Sequence, residues 1–410
     1  MMKNWKTCLL RDLVDSIVMG QSPDSSSYNE EGDGIAFVQG NADMQNGFPK
    51  IRYYTRDPKR FSEIKDILLS VRAPVGDIFY NNYGNIAIGR GLSAIRIQND
   101  GLRKYVFHYL NYDRRQFERL EQGTTFTEIG KKEVCRLKIN LPQNPYEQTS
   151  IATLLSKVDE AIAAVQASIT AAERLKKSLM QNLLTGRMKP DGTFRLENEF
   201  YTDEKFGKVP MGWVVKKLKD IARIQRGKFS HRPRNDERFY NGNYPFVQTS
   251  DVVESTFYLK EASQSLNDLG KSVSKCFPPD TIIITIAANI GYLALTQYEV
   301  FFPDSLIGII AEKDIISPSY LMFQLMTYKE ILDAQATESA QKNINYGNLR
   351  PLLIAYPSNV QEQNEIASKI TNVFNIIESR QSQINTLERL KKSLMQNLLT
   401  GKKRIKYNKQ

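Results

Sequence analysis

The sequence predicts an α+β fold in which two similar strand-rich domains are joined by two long helices that pair as an antiparallel coiled coil. A segment of 14 residues, ERLKKSLMQNLLTG, occurs at 173–186 and again at 388–401 without a difference. The flanking residues align at the same offset of 215 positions, so that the repeat covers about 45 residues. The chain is therefore an internal duplication with pseudo-two-fold symmetry.

Apolar residues recur at alternating steps of three and four along 151–183 and again along 366–398. This spacing is typical of a coiled-coil seam, so we expect the helices to pack mainly on each other. The alternative is that each helix covers the core of its own domain. Both helices are predicted to follow a proline-containing turn and to end at Gly186 or Gly401, which can supply a left-handed C-cap.

The halves outside the helices correspond more loosely. Phe37-Val38-Gln39 is matched by Phe246-Val247-Gln248, and each is predicted to be a short strand that ends in polar residues. Each domain is also predicted to contain a helix near its end, around 105–122 and 320–335. The predicted organisation is domain 1 at 1–146, spacer helix 1 at 147–186, a polar tether at 187–208, domain 2 at 209–360, spacer helix 2 at 361–401 and a basic, disordered tail at 402–410.

The net charge of +11 and the pI near 9.3 favour a polyanionic partner such as nucleic acid. The three cysteines are widely separated and show no CxxC spacing, which argues for a reducing compartment. Neither of the two histidines has a second ligand at metal-binding spacing, so we expect no zinc or iron site. The chain starts without an apolar leader and has no stretch long enough to span a membrane, which predicts a cytoplasmic protein.

Patterns of enzymes that act on DNA are missing or degenerate. Gly270-Lys271-Ser272 lacks the first glycine of a phosphate-binding loop, and Asn144-Pro145-Tyr146 has one proline where an amino-methyltransferase has two. Asp191, Asp203 and Lys205 could hold Mg²⁺ in a nuclease, but the tether is predicted to have no strands that would fix their geometry. We therefore expect no catalytic site in this chain.

The chain begins with a Trp-led domain, followed by a helix that ends in ERLKKSLMQNLLTG and a tether with Gly207-Lys-Val-Pro210-Met-Gly212-Trp213, and it then repeats this order. This organisation resembles the specificity subunit of type I restriction-modification systems. The resemblance covers essentially the full chain. It implies two target-recognition domains, each of which contacts one half of a bipartite, asymmetric site in double-stranded DNA. The paired helices would set the spacing of the two halves and dock two methyltransferase (modification) subunits.

The same resemblance implies that the cofactors belong to the partners. S-adenosylmethionine would be carried by the modification subunits, and ATP and Mg by restriction subunits that join them. No cofactor or metal is expected in this chain itself.

Exposed basic and amide side chains are the candidates for contact with DNA, because Arg and Lys bind guanine edges or phosphates and Asn and Gln bind adenine edges. In domain 1 the candidates are Gln39, Asn41, Arg72, Arg90, Thr124, Thr125, Lys131 and Lys132. In domain 2 they are Arg226, Lys228, Arg232, Arg234, Gln248, Thr249, Asn289, Lys342, Asn343 and Asn345. The densest basic cluster, 223–238, is predicted to be a loop.

Three other functions stay open on the sequence. A stand-alone DNA-binding or architectural protein would need no partner subunit. A single-chain nuclease would depend on Asp203 and Lys205. A coiled-coil scaffold would bind acidic proteins and would show no salt-sensitive preference for one DNA sequence.

Overall fold

A computed structural model describes residues 4–45, 47–121, 128–287, 289–337 and 343–405. The chain divides into two compact units: unit 1 comprises Met1–Val165 and Gln383–Gln410, and unit 2 comprises Gln166–Ser382. Each unit therefore holds one strand-rich domain, the first part of the long helix that follows it and the last part of the other long helix.

Unit 1 begins with short strands that are separated by turns. They are β1 (Trp5–Leu9), β2 (Ser16–Met19), β3 (Tyr28–Asn29), β4 (Ile35–Val38), β5 (Met44–Gln45), β6 (Phe48–Pro49), β7 (Tyr53–Thr55), β8 (Phe61–Ser62), β9 (Ile67–Ser70), β10 (Ile78–Tyr80), β11 (Ile86–Ile88) and β12 (Leu92–Arg96). The helices α1 (Asp100–Tyr112), α2 (Arg115–Glu121) and α3 (Lys131–Cys135), the strand β13 (Lys138–Pro142) and the long helix α4 (Pro145–Leu183) follow.

Unit 2 repeats this order after a hairpin. Its elements are β14 (Phe200–Asp203), β15 (Gly207–Pro210), β16 (Trp213–Lys217), α5 (Leu218–Ile221), β17 (Ala222–Arg226), β18 (Tyr240–Phe246), α6 (Thr249–Glu254), β19 (Gln264–Leu266), α7 (Asp268–Ser272), β20 (Cys276–Phe277), β21 (Thr281–Thr285), β22 (Leu293–Leu295), β23 (Val300–Phe301), β24 (Leu306–Ala311), α8 (Pro318–Thr327), α9 (Lys329–Thr337), α10 (Tyr346–Leu349), β25 (Leu353–Pro357) and α11 (Val360–Leu398).

The sheets of the two units have matching topology. The antiparallel sheet β10-β9-β12-β2 in unit 1 corresponds to β22-β21-β24-β17 in unit 2. A second sheet contains one parallel pair in each unit, β4 with β11 and β18 with β23. A third, two-stranded sheet sets Trp5 opposite Pro142 and Trp213 opposite Pro357. The duplication seen in the sequence therefore extends to the strand order of both domains.

The helix predicted near the end of each domain is in fact a pair of helices. α1 and α2 occupy the predicted range in unit 1, and α8 and α9 occupy it in unit 2. Asn99 caps α1, since its side chain accepts a hydrogen bond from the Leu102 amide. The sequence pattern identified the helical region but not the break within it.

The long helices α4 and α11 each contain 39 residues, and both of the glycines that follow them have positive φ, +66° at Gly186 and +72° at Gly401. The predicted left-handed C-caps are therefore confirmed. Their apolar stripes enter the domain cores at both ends. In unit 1 Ile151 and Leu155 pack in one cluster with Leu398 and Leu399.

In unit 2 Ile366 and Ile370 pack with Leu183 and Leu184 in the equivalent way. At their ends the helices therefore pack on each other, as expected, and also cover the domain cores, as in the alternative. The heptad assignment fails at Leu175 and its copy Leu390, which are 49% and 47% exposed.

The tether and the tail are structured where the structure describes them. Contrary to the prediction, the tether contains strands, the antiparallel hairpin β14–β15, and its Arg195 donates to Glu362 at 2.8 Å. In the tail, Arg404 binds both carboxylate oxygens of the fully buried Glu147. Glu147 and Glu362 are equivalent positions in the first turns of α4 and α11. The start of each long helix is thus bound to the segment that follows the other long helix.

We predict that Arg404→Ala destabilises unit 1 by about 2 kcal/mol, because it leaves a buried carboxylate without its cation. The value is lower than for a fully buried pair, since the Arg404 side chain is 44% exposed. Chemical denaturation that monitors unit 1 measures the change. The exposed neighbour Lys403 provides the control variant, Lys403→Ala. Combining Arg404→Ala with Glu147→Gln should restore much of the loss, and equal stability of the single and double variants would contradict the assignment.

Candidate nucleic-acid interface

The segments that carry the candidate residues of domain 1 lie side by side at one end of its sheets. The Gly91 amide donates to the Gln39 carbonyl at 3.2 Å, the Val71 amide donates to the Gly91 carbonyl at 3.0 Å, and the Ile129 amide donates to the Val71 carbonyl at 2.9 Å. These bonds join the end of β4, the turn between β11 and β12, the end of β9 and the residues before α3. Gln39, Asn41, Arg72, Arg90, Lys131 and Lys132 all extend from this row of segments.

Domain 2 builds the same row with different side chains. The Val247 amide donates to the Phe301 carbonyl at 2.8 Å, the Ile286 amide to the Ser305 carbonyl at 3.4 Å, and the Ile344 amide to the Ile286 carbonyl at 3.1 Å. The candidates on or beside these segments are Arg226, Lys228, Gln248, Thr249, Asn289, Asn343 and Asn345. Thr124, Thr125 and Lys342 lie outside the described residues.

A glycine at the end of the first strand of the antiparallel sheet, β2 or β17, allows that strand to approach this row closely in both domains. A Cβ at Gly20 would lie 2.1 Å from the Gly89 carbonyl oxygen, and a Cβ at Gly227 would lie 2.2 Å from the Pro303 carbonyl oxygen. Such distances are not tolerated between real atoms, so only glycine allows the backbones to approach in this way. The segments that follow Gly20 and Gly227 are thereby held beside the turns that follow Gly89 and Pro303.

The candidates in domain 1 differ in how firmly they are held. Asn41 donates its amide hydrogens to Asp77 at 2.7 Å and to the Pro74 carbonyl at 3.2 Å, and Arg72 pairs with Glu128 at 2.9 Å. Gln39 and Arg90 are exposed, and among the described residues their side chains have no hydrogen-bond partner. Lys131 and Lys132 are exposed in the first turn of α3. Gln39 and Arg90, like the two lysines, are therefore freer to bind a ligand than Asn41 and Arg72.

In domain 2 the basic cluster is organised by one carboxylate. Asp304 accepts from Arg232 at 3.4 Å through Oδ2 and from Arg234 through Oδ1, and its carbonyl accepts from Arg226 Nε. Arg232 also donates to the His231 carbonyl at 2.8 Å. The first part of the cluster is the strand β17 and not, as predicted, a loop.

A second carboxylate holds the far end of this cluster. Asp236 accepts from Arg238 Nη2 at 2.7 Å and lies 3.0 Å from His231 Nε2. The hydrogen bonds from Arg238 lower the pKa of Asp236, and the bond to Asp236 raises the pKa of Arg238. These residues are therefore charged at neutral pH, and Asp236 reduces the positive potential of the cluster.

A polar groove of about 570 Å³ lies beside the cluster and is lined by Arg234, Asn235, Tyr240, Gln248, Gln264 and Pro303. Gln248 donates to the Gln264 side chain at 3.0 Å. Sequence reasoning identified Arg234 and Gln248 but missed Asn235, Gln264 and Asp304. No local pattern marks these three residues, because their proximity follows from the pairing of β18 with β19 and of β18 with β23.

Some of the predicted residues have structural roles. Asn345 caps α10 by accepting a hydrogen bond from the Gly347 amide at 2.6 Å. Asp191 and Asp203, the carboxylates of the nuclease alternative, accept from the amides of Thr193 and Lys205 in two separate turns. Within the described ranges no group of three or more His, Cys, Asp or Glu side chains is placed to hold a metal ion.

The sequence profile of the family described as "Type I restriction modification DNA specificity domain" matches residues 2–174 and 210–389. The chain belongs to this family. The two matched ranges correspond to the two domains that the sequence and the sheet topology identify as repeats, and the resemblance found in the sequence is confirmed.

Individual relatives share the family at lower coverage. The chain is similar to the putative type I restriction enzyme MjaX specificity subunit of Methanocaldococcus jannaschii, with 41% identity over 174 residues, 42% of this chain and 40% of that protein. The MjaIX specificity subunit of the same organism is 28% identical over 210 residues, 50% of this chain and 47% of that protein. The alignments thus span less than half of the length of these two relatives. The MjaVIII specificity subunit is 25% identical over 343 residues, 80% of this chain and 78% of that protein.

Solved structures support the fold. The S subunit of a type I restriction-modification system from M. genitalium superposes with a TM-score of 0.67 at 15% identity, covering 96% of both chains. The predicted fold class, two similar α+β domains with two long helices, is confirmed. No helix in the described part of the chain combines the length and apolar character needed to cross a membrane.

We predict that Gly20→Ala destabilises unit 1 by about 1–3 kcal/mol, because the new methyl group would collide with the Gly89 carbonyl. Gly40→Ala is the matched control, since a Cβ there would lie 4.0 Å from the nearest atom, the Gly91 Cα. Thermal unfolding compares the two variants with the native chain. Equal melting temperatures for both variants would show that the close approach is not required.

Proposed function

We propose that this chain is the DNA-reading specificity subunit of a type I restriction-modification complex and performs no chemistry itself. One observation carries the proposal: the same row of hydrogen-bonded segments is built twice in one chain and presents different polar side chains each time. Domain 1 presents Gln39 and Arg90, and domain 2 presents Gln248 and the cluster around Arg234. Two such readers contact two different half-sites, and so the target is bipartite and asymmetric double-stranded DNA.

The repeated helices support two identical docking sites for modification subunits. Burial in the domain cores accounts for the identity of Leu183 and Leu184 with Leu398 and Leu399. Core packing does not account for the residues that are exposed in both copies. These are Arg174, Leu175, Lys177, Ser178 and Gln181 in α4 and Arg389, Leu390, Lys392, Ser393 and Gln396 in α11. We call them the shared helix face; two equal surfaces fit two copies of one partner.

The division of labour is what the resemblance to the family implies. The modification subunits bring S-adenosylmethionine and the methyl transfer, and restriction subunits bring ATP and Mg. A fixed separation of the two readers is required, because affinity gained by linking two binding sites is lost when the link misplaces one of them. A stand-alone architectural protein would not require the shared helix face to be the same in both copies, and a protein-binding scaffold would show no salt-sensitive preference for one DNA sequence.

The test of the proposal is co-expression of the chain with a modification subunit of the same system, followed by mapping of methylated bases across the host genome. We expect a split, asymmetric motif that appears only when both proteins are present. Methylation by the chain alone would overturn the claim that it lacks chemistry. Tight, unmethylated DNA binding by the chain alone would favour the architectural alternative, and absence of any DNA preference would favour the scaffold.

The shared helix face makes a second prediction about stoichiometry. Leu175→Glu and Leu390→Glu should each reduce the number of bound modification subunits from two to one, because each places a charge in one docking surface. The double variant should bind none. Native mass spectrometry of the purified complexes counts the subunits.

Ile376→Glu is the control for this experiment. Ile376 is 47% exposed on α11 but lies outside the identical segment 388–401, and its counterpart in α4 is Ala161, so that its replacement should leave two partners bound. Retention of both partners by the double variant would place the docking surface elsewhere.

A further inference from the structure

The tight turn that precedes the last strand of the antiparallel sheet carries opposite charges in the two domains. In domain 1 the Leu92 amide closes the turn on the Gly89 carbonyl at 3.0 Å, and Arg90 is its tip. In domain 2 the Leu306 amide closes the same turn on the Pro303 carbonyl at 3.1 Å, and Asp304 is its tip. Arg90 and Asp304 therefore occupy one position of the common frame.

The segment that lies beside this turn, after Gly20 or Gly227, also differs in charge between the two domains. The residues that follow Gly20 in domain 1 are Gln21, Ser22, Pro23 and Asp24, whereas those that follow Gly227 in domain 2 include Lys228, Arg232 and Arg234. The Gln21 amide donates to the Ile88 carbonyl at 2.9 Å, and the Lys228 amide donates to the Phe302 carbonyl at 3.0 Å, so that the two segments start in register. A cation thus extends from the turn in domain 1 and from the neighbouring segment in domain 2.

The two arginines bound by Asp304 are not equivalent. Arg232 uses Nη1 for the Phe229 and His231 carbonyls and Nη2 for Asp304, so both of its terminal nitrogens are occupied. Arg234 gives only Nη2 to Asp304 Oδ1, which leaves its Nη1 and Nε without a partner among the described residues. Its carbonyl accepts from the Tyr240 hydroxyl, which holds the backbone, and its side chain lines the groove with Gln248 and Gln264.

We propose that Arg234 determines specificity in domain 2 by binding a guanine edge in the major groove, and that Asp304 is the residue that positions it. This inference rests on the proposed function and assigns a base to its second reader. A guanidinium matches the O6 and N7 acceptors of guanine with two parallel N–H donors, and Arg234 retains such a pair, because the Nη2 hydrogen that Asp304 does not accept lies beside a free hydrogen of Nη1 or Nε. Because Asp304 already holds one terminal nitrogen of Arg234, the side chain loses less conformational entropy when it binds DNA.

The carboxylate also acts against non-specific binding. DNA backbone phosphates repel Asp304, whereas a guanine edge has no net charge and can be approached by an arginine that keeps its anion. Removing the charge of Asp304 should therefore strengthen contacts to phosphates and weaken the preference for a guanine edge. Non-specific affinity should rise, and selectivity for guanine should fall, because Arg234 becomes free to bind phosphates.

The experiment uses the chain in complex with its modification subunit and duplexes that carry the genomically mapped motif or single-base changes of it. For Arg234→Ala we expect loss of discrimination at one G·C pair by about 10-fold or more, as for a removed bidentate contact. For Asp304→Asn we expect discrimination at the same pair to fall, with tighter non-specific binding and a logarithmic salt slope that is steeper by about one. Arg90→Ala should affect only the other half of the motif.

Asp280→Asn is the matched control, because Asp280 forms an exposed ion pair with Lys313 at 2.6 Å elsewhere in unit 2 and has a φ of +65° that asparagine accepts. The inference is overturned if Arg234→Ala leaves discrimination unchanged, or if Asp304→Asn raises cognate and non-cognate affinity by the same factor. A native complex that prefers no motif would instead overturn the proposed function, and this inference with it.

Discussion

A carboxylate in the first turn of each long helix, buried in unit 1 and partly buried in unit 2, imposes the requirement on which the structure of each unit depends. Glu147 is fully buried, and the side chain of Glu362 is 26% exposed. An anion in such a place is stable only when a cation and further donors accompany it. In each unit that cation comes from the segment after the other long helix, Arg404 in unit 1 and Arg195 in unit 2. Neither domain can therefore be completed by its own half of the sequence alone.

The repeat conserves the two carboxylates but not the positions of the cations that bind them. Glu147 and Glu362 align at the offset of the repeat, but Arg404 follows Gly401 by three residues whereas Arg195 follows Gly186 by nine. The carboxylate is retained in place, and its cation is supplied by two different segments, the tail after α11 and the first part of the tether before the hairpin β14–β15. Both units thus contain the same type of ion pair, although the arginines that form it do not align in the sequence.

This difference explains which features the sequence could predict. The long helices, their C-cap glycines and the strand before Gln39 depend on periodicity and on single residues, and these predictions hold. The ion pairs, the hairpin in the tether and the grouping of Asp304 with Arg234 join residues that are far apart in the chain. Asp304 and Arg234 are 70 positions apart and meet only because Gly227 brings their backbones together. The exposure of Leu175 does not follow from heptad spacing, because apolar spacing does not distinguish a position in the seam from a position that a partner would cover.

The glycines also explain how one backbone frame can carry different exposed side chains in the two domains. Gly20 and Gly227 cannot carry a side chain without displacing a carbonyl, so the backbone path around the turn is the same in both domains. The tip of the turn is free of this constraint, since Arg90 is exposed and the side chain of Asp304 is 40% exposed. A change of charge at the tip therefore alters the surface offered to DNA with little effect on the core. In the proposed function selectivity resides in such positions, so that the frame can stay constant while the recognised sequence changes.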